Sequence, residues 1–146
     1  MIELRAATVA DIPRVLQFWS SSAEGAHRPP DDAAAIERLI RRDPLALELA
    51  WSNDTVVGSL ISGWDGWRFH LYRLAVDPLR RREGIARSLL TSAEERLAAL
   101  GAVRIDAMVL HDNADAHRFW TAAGYAPQVE WNRWIKMVSA AIEAEQ

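Results

Sequence analysis

The residues that most constrain this chain are 71–90, LYRLAVDPLRRREGIARSLL, where a strand must end, a turn must follow and a helix must begin. Leu74, Ala75 and Val76 have the apolar character of a buried strand end, and Pro78, which has no N–H to donate, stops ladder pairing just past Asp77. From Arg82 to Ala86 the backbone turns into a helix whose first N–H groups have no intrahelical partner. Those donors, with the positive end of the helix dipole, suit a phosphate. Gly84 has no side chain and Ala86 only a methyl, so ligand oxygens can approach the backbone closely. Arg80, Arg81 and Arg82 place positive charge at the rim. Taken alone, such a short turn reads by default as a solvated loop. Lys136 is the only lysine among the seventeen basic residues, so a run of arginines is also a matter of composition.

A chain of 146 residues is long enough for one domain, expected to span 1–146 and to bury about 70% of its unfolded surface. Its formal charge of -3 argues against a general nucleic-acid or anionic-membrane binder, which needs a basic face. Without cysteine there is no disulfide framework, thiol nucleophile or thiolate metal site. Met1 leads straight into a strand-like segment, and no apolar run approaches the length of a membrane span. The expected location is cytoplasmic.

Ile2, Leu4 and Ala6 alternate with Glu3 and Arg5, the period of a half-buried strand. Thr8 and Asp11 resemble a capping box, after which Ile12, Val15, Leu16 and Trp19 fall on one helical face ending near Ser20. Residues 20–32 form a long loop, a place to look for substrate contacts. Asp31 or Asp32 can cap a second helix carrying Ile36, Leu39 and Ile40, closed by Pro44. Strands are expected over 45–51, 55–62 and 68–76, joined by turns at Asn53-Asp54 and at residues 63–67. The helix after Gly84 carries Ile85, Leu89, Ala93, Leu97 and Leu100, and Gly101 stands at its C-terminal cap. A strand over 103–110 completes a strand, helix, strand unit with a right-handed parallel connection. Asn113 caps a last helix ended by Gly124, and residues 129–138 supply the final strand or strands.

Val76-Asp77-Pro78 and Arg81-Arg82-Glu83-Gly84-Ile85-Ala86, followed later by Asn113, Ala116, Phe119-Trp120 and Gly124-Tyr125, resemble the two signature blocks of the GNAT-type N-acetyltransferase superfamily. The first is similar to that family's R/Q-x-x-G-x-G/A pyrophosphate loop, the second to its N-x-x-A-x-x-h-aromatic-x-x-x-G-aromatic helix. Order, spacing and expected elements agree over nearly the whole chain. The resemblance implies an α/β (α+β) fold: a mixed, mostly antiparallel sheet of about six to seven strands flanked by about four helices.

It also implies an acetyl-CoA site. The backbone N–H groups of Arg82, Glu83, Gly84, Ile85 and Ala86 would hold the pyrophosphate, with Arg81 and Arg87 near the phosphates. Leu74, Ala75 and Val76 would offer their backbone to the pantetheine amides as to an added strand. Asn113 and Trp120 would line the other side. The implied reaction is direct attack of a neutral amine on the thioester, helped by proximity and by a backbone N–H at the acyl oxygen. The family often has tyrosine where Trp120 stands, and an indole N–H is neither a useful acid nor an acceptor.

The proton carriers are less well marked. His70 and Tyr72, expected on the strand face of Leu74, are candidate bases, as are Glu24 and His27 in the long loop; Tyr125 is a candidate acid. Against each stands the plain reading of a polar surface residue with water relaying the proton. His111 and His117 lack a partner cluster, so no metal site is expected. Trp64 and Trp67 flank Asp65-Gly66 at a hairpin tip, and Trp131 and Trp134 lie in the final strand; an aromatic acceptor wall and ordinary packing both account for them. The expected acceptor is a small-molecule amine or a peptide N-terminus, with no nucleic acid or membrane partner. Homodimerisation is common in the resembled family. A non-catalytic acyl-CoA-binding or regulatory module is the competing reading, and a nucleotide-binding domain lacks the Walker-type Lys-Ser/Thr.

Overall fold

A computed structural model of the chain describes residues 1–23, 25 and 28–138. Its contacts form two compact units, Met1–Ala26 with Asp31–Met108, and His27–Pro30 with Val109–Gln146.

The first unit holds a five-stranded sheet in the order β1 (Ile2–Ala6), β2 (Leu47–Ser52), β3 (Thr55–Trp64), β4 (Phe69–Val76) and β5 (Asp106–Ala107). The first three pairings are antiparallel and the last is parallel. The mixed, mostly antiparallel sheet and the four described helices agree with the expected α/β class; the strand count is five rather than six to seven. Two strand expectations differ from what is observed, and the second accounts for the shortfall. The strand expected over 103–110 is only Asp106–Ala107, and Val103 stands fully in solvent. Residues 129–138 form no strand, and Val129, Trp131, Trp134, Ile135 and Val138 are exposed.

Helices α1 (Ile12–Ser22) and α2 (Ala33–Arg42) cover one sheet face. The Asp11 carboxylate accepts from the Thr8 N–H at 2.8 Å, so the expected cap is there, with a short 3-10 turn (Val9–Asp11) before α1. Asp32 caps α2 by accepting from the Ala34 N–H. Val15, Phe18 and Trp19 of α1 and Ile36 and Ile40 of α2 pack on Leu47, Leu49, Trp51, Val56 and Ala75. The hairpin tip is tighter than expected, because Gly63 and Trp64 pair with His70 and Phe69. Asp65 closes it by accepting from the N–H groups of Arg68 and Trp67, which hold its carboxyl below the usual range.

Helix α3 (Ile85–Ala99) lies on the other face, where Ile85, Leu89, Leu90, Ala93 and Leu97 are buried. Each fully buried leucine contributes about 1.5–3 kcal/mol. Arg96 ties the helix to the sheet by donating to the Ser62 carbonyl at 2.9 Å and to the Ser62 hydroxyl at 2.6 Å, and it pairs with Asp43. Close approach at the helix start depends on Gly58, where a Cβ would stand 2.8 Å from Ile85 Cγ2 and 3.1 Å from Leu89 Cδ1. Gly58→Ala should therefore destabilise the fold by about 1–3 kcal/mol through overpacking, read by urea denaturation; an unchanged midpoint would show that the helix yields freely.

Candidate active site

The outward edge of β4 and the start of α3 meet within the first unit. Asp77 N–H donates to the Val57 carbonyl at 2.9 Å, which fixes the hydrogen-bonding phase of the β3–β4 ladder. Ser59 stands opposite Ala75 and Gly58 opposite Val76. By alternation, Ala75 turns its backbone groups toward β3, while Leu74 and Val76 turn theirs away. On that far side β5 pairs with β4 only at His70 and Leu71. Among the described residues the backbone of Leu74–Val76 is thus an open edge in the ladder, of the kind that an extended amide chain can join.

A bulge precedes this edge. From Ile61 to Ser59 the β3 strand advances two residues while β4 advances three, from Tyr72 to Ala75, and Arg73 takes the left-handed φ of 58°. The extra residue overturns one expectation: His70 and Tyr72 do not share a face with Leu74. Tyr72 pairs with Ile61 on the side of α1, and Leu74 is turned to the side of α3. The rings of His70 and Tyr72 stay together at 5.8 Å. Glu24 and His27 lie outside the described residues.

Past Val76, Asp77 accepts from the Leu79 N–H and caps a short 3-10 turn, Pro78–Arg80. Arg82 (φ 66°) and Gly84 (φ 79°) are both left-handed, and α3 starts at Ile85 with no side chain capping its first turn. Successive N–H groups from Arg82 to Ala86 therefore border a concavity suited to an anion. A Cβ at Gly84 would meet nothing within 4 Å, so the space in front of this turn is open. Arg81, Arg82 and Arg87 are exposed around it. Arg80 differs from the expectation of a rim charge. Its guanidinium grips both carboxylate oxygens of Glu83, at 2.8 and 3.0 Å, and that hydrogen-bonded pair holds the Glu83 carboxyl below its usual range and the Arg80 guanidinium above its own. The negative charge nearest the free N–H groups is thereby compensated.

The second unit contains α4 (Ala114–Ala122), capped by the Asn113 side chain accepting from the Ala116 N–H at 3.0 Å and ended at Gly124, φ 96°. Asn113 thus has a structural duty at the position where the resemblance implies ligand contact. Trp120 is only 7% exposed, with Phe119 and Tyr125 edge-on to it at 5.4 and 4.8 Å. His117 Nε2 lies 3.1 Å from the Leu110 carbonyl, and among the described residues no three His, Asp or Glu side chains cluster as metal ligands.

The sequence is matched by a family profile: the Acetyltransferase (GNAT) family covers residues 12–125. The chain belongs to this family. An acetyltransferase of Yersinia pestis (strain Pestoides F) is 34% identical over 113 residues, 77% of this chain and 79% of the relative. One of Pectobacterium atrosepticum is 35% identical over the same length and shares. Among solved structures, a transcriptional regulator from Bacillus halodurans C-125 superposes with a TM-score of 0.74 at 20% identity, covering 94% of this chain and 99% of the other. The PaiA N-acetyltransferase from Thermoplasma acidophilum, in complex with coenzyme A, gives 0.73 at 16% identity, covering 84% and 88%. These likenesses show the fold, and the family is one of acyltransferase enzymes.

Sequence reasoning found the free helix start through Gly84 but missed the bulge at Arg73 and the serine beneath it. The available signal was Ser59, a polar residue inside the apolar run 56–61, which is fully buried. Because Gly84 is left-handed with open space around it, Gly84→Ala should cost about 1–2 kcal/mol from backbone conformation alone. Thermal or chemical denaturation reads this; a neutral result would mean that the turn relaxes to another conformation.

Proposed function

We propose that this GNAT family member is an acetyl-CoA-dependent N-acetyltransferase acting on a primary amine, without a covalent enzyme intermediate. The observation that carries the reading is the open backbone edge of Leu74–Val76 running up to the uncapped start of α3. The two form a continuous lane for an amide-bearing arm and a pyrophosphate. Arg82, Glu83, Gly84, Ile85 and Ala86 bind the phosphates through backbone N–H groups, and Arg81 and Arg87 add charge. The edge formed by Leu74, Ala75 and Val76 orients the arm through its Leu74 and Val76 backbone groups, as a partner strand would.

When bound, acetyl-CoA supplies the activated acyl group. The amine nitrogen forms its bond to the thioester carbonyl carbon, the C–S bond breaks, and the thiolate takes up a proton. The chain's task is to hold the reactants at attack distance, which can supply roughly 7–11 kcal/mol of barrier lowering, and to aim an N–H at the developing oxyanion. His70 and Tyr72, side by side on β4, are the candidate proton acceptors, and Tyr125 is the candidate donor to the thiolate. Asn113 and Trp120 are assigned to the cosubstrate on the family pattern alone, since one caps α4 and the other is packed among aromatics. The reading takes residues 1–146 as one acetyltransferase domain in the cytoplasm, with a small amine or a peptide N-terminus as acceptor. Among the described residues no helix is long and apolar enough to cross a membrane.

A thiol-release assay tests the reading against a non-catalytic acyl-CoA-binding module. With acetyl-CoA and a panel of primary amines, steady release of free thiol is expected with at least one amine, and little without. Release that no amine increases, in a protein that binds acetyl-CoA, would favour the binding module. If His70 takes the amine proton, His70→Gln is expected to lower kcat and to remove the acid limb of the pH–rate profile; an unchanged profile would remove it from that role.

A further inference from the structure

Arg73 is the one described strand residue that takes a positive φ without being glycine. Such a conformation persists where surroundings over-determine it. At Arg73 they act at both ends of the residue. Because of the bulge, no β3 residue stands opposite Arg73 in the ladder. The Ser59 hydroxyl donates to the Arg73 carbonyl at 2.9 Å. The same oxygen accepts from the Trp19 indole N–H at 2.9 Å. Ser59 is 0% exposed and Trp19 is also buried, so this relay is shielded from water, and each bond polarises the next. The Arg73 guanidinium lies 4.7 Å over the Trp19 ring and pairs with Asp31 at 2.5 Å, its side chain only 11% exposed.

A trans peptide group is planar, with its C=O and N–H pointing in opposite directions. Holding the Arg73 carbonyl against the Ser59 side chain, which lies on the α1 face of β3, therefore turns the Leu74 N–H away from β3 and from α1. The ladder phase also turns the Leu74 and Val76 backbone groups away from β3.

We propose that Ser59, backed by Trp19, is the positioning residue of the acyl-transfer centre: by fixing the Arg73 carbonyl it aims the Leu74 N–H at the thioester oxygen. This rests on the acetyl-CoA reading above. A donor acts on the transition state most strongly when it is set before reaction and does not reorganise. Neither Ser59 nor Trp19 touches the reacting atoms in this account; both act through the peptide group between Arg73 and Leu74. The plain alternative is that Ser59 only satisfies a buried indole N–H.

Infrared difference spectroscopy of the full chain with acetyl-CoA labelled with carbon-13 at the thioester carbonyl separates the two and needs no acceptor. In the native protein the bound carbonyl stretch is expected at lower frequency than in free acetyl-CoA. Ser59→Ala should still bind acetyl-CoA by calorimetry but lose most of that shift. Trp19→Phe, which keeps the hydroxyl and loses its donor, should give an intermediate shift and serves also if the serine variant does not fold. A full shift in a folded Ser59→Ala or Trp19→Phe protein, or none in the native complex, would overturn the role of Ser59. Failure of the native protein to bind acetyl-CoA at all would instead remove the reading beneath it.

Discussion

Helix α3 can lie close to the sheet because Gly58 presents no side chain where Ile85 and Leu89 come down. Gly58 stands opposite Val76, the last residue of β4, so this contact sets the first turn of the helix beside the strand end. The placement joins two features that would each be unremarkable alone. A strand edge without a ladder partner offers amide recognition, and a helix start without a cap offers anion binding. Brought together by a glycine on a third element, they make one extended candidate site. The helix is then kept in place far from that end, where Arg96 reaches Ser62 and Asp43 and the buried leucines supply most of the packing.

The electrostatics of the turn serve the same end. A carboxylate beside free helix N–H groups would compete with an incoming phosphate. Glu83 is held by Arg80 in a two-pronged pair, which compensates its charge beside the positive end of the helix, with Arg81, Arg82 and Arg87 exposed at the rim. Because the Glu83 pKa is lowered in the folded chain, the pair is complete above the ordinary glutamate range and is lost as pH falls through that lowered value.

Most of the helices and their ends were legible in sequence because the signals are local. Asp11, Asp32 and Asn113 cap where they were expected to, and Gly84, Gly101 and Gly124 take the positive φ values that end or begin helices. The uncapped turn at Gly84 belongs to this class. The β4 bulge does not: nothing in an arginine announces a left-handed backbone, and Arg73 is held there by Ser59, Trp19 and Asp31, all distant in sequence. Strand readings erred for a related reason. Residues 129–138 have strand composition, but composition alone does not make a strand, and none of them belongs to a strand of the sheet. The face of Leu74 was misjudged because strict alternation fails when one residue is inserted.

The central claim is that the start of α3 and the edge of β4 form an acetyl-CoA site, and isothermal titration calorimetry addresses it most directly. Acetyl-CoA should bind the native protein and ATP should not displace it. Gly84→Glu, shown by circular dichroism to keep its fold, should lose binding, because it sets a side chain and a negative charge in front of the free N–H groups. No heat of binding with a well-folded native protein, or equal binding by the variant, would contradict the account.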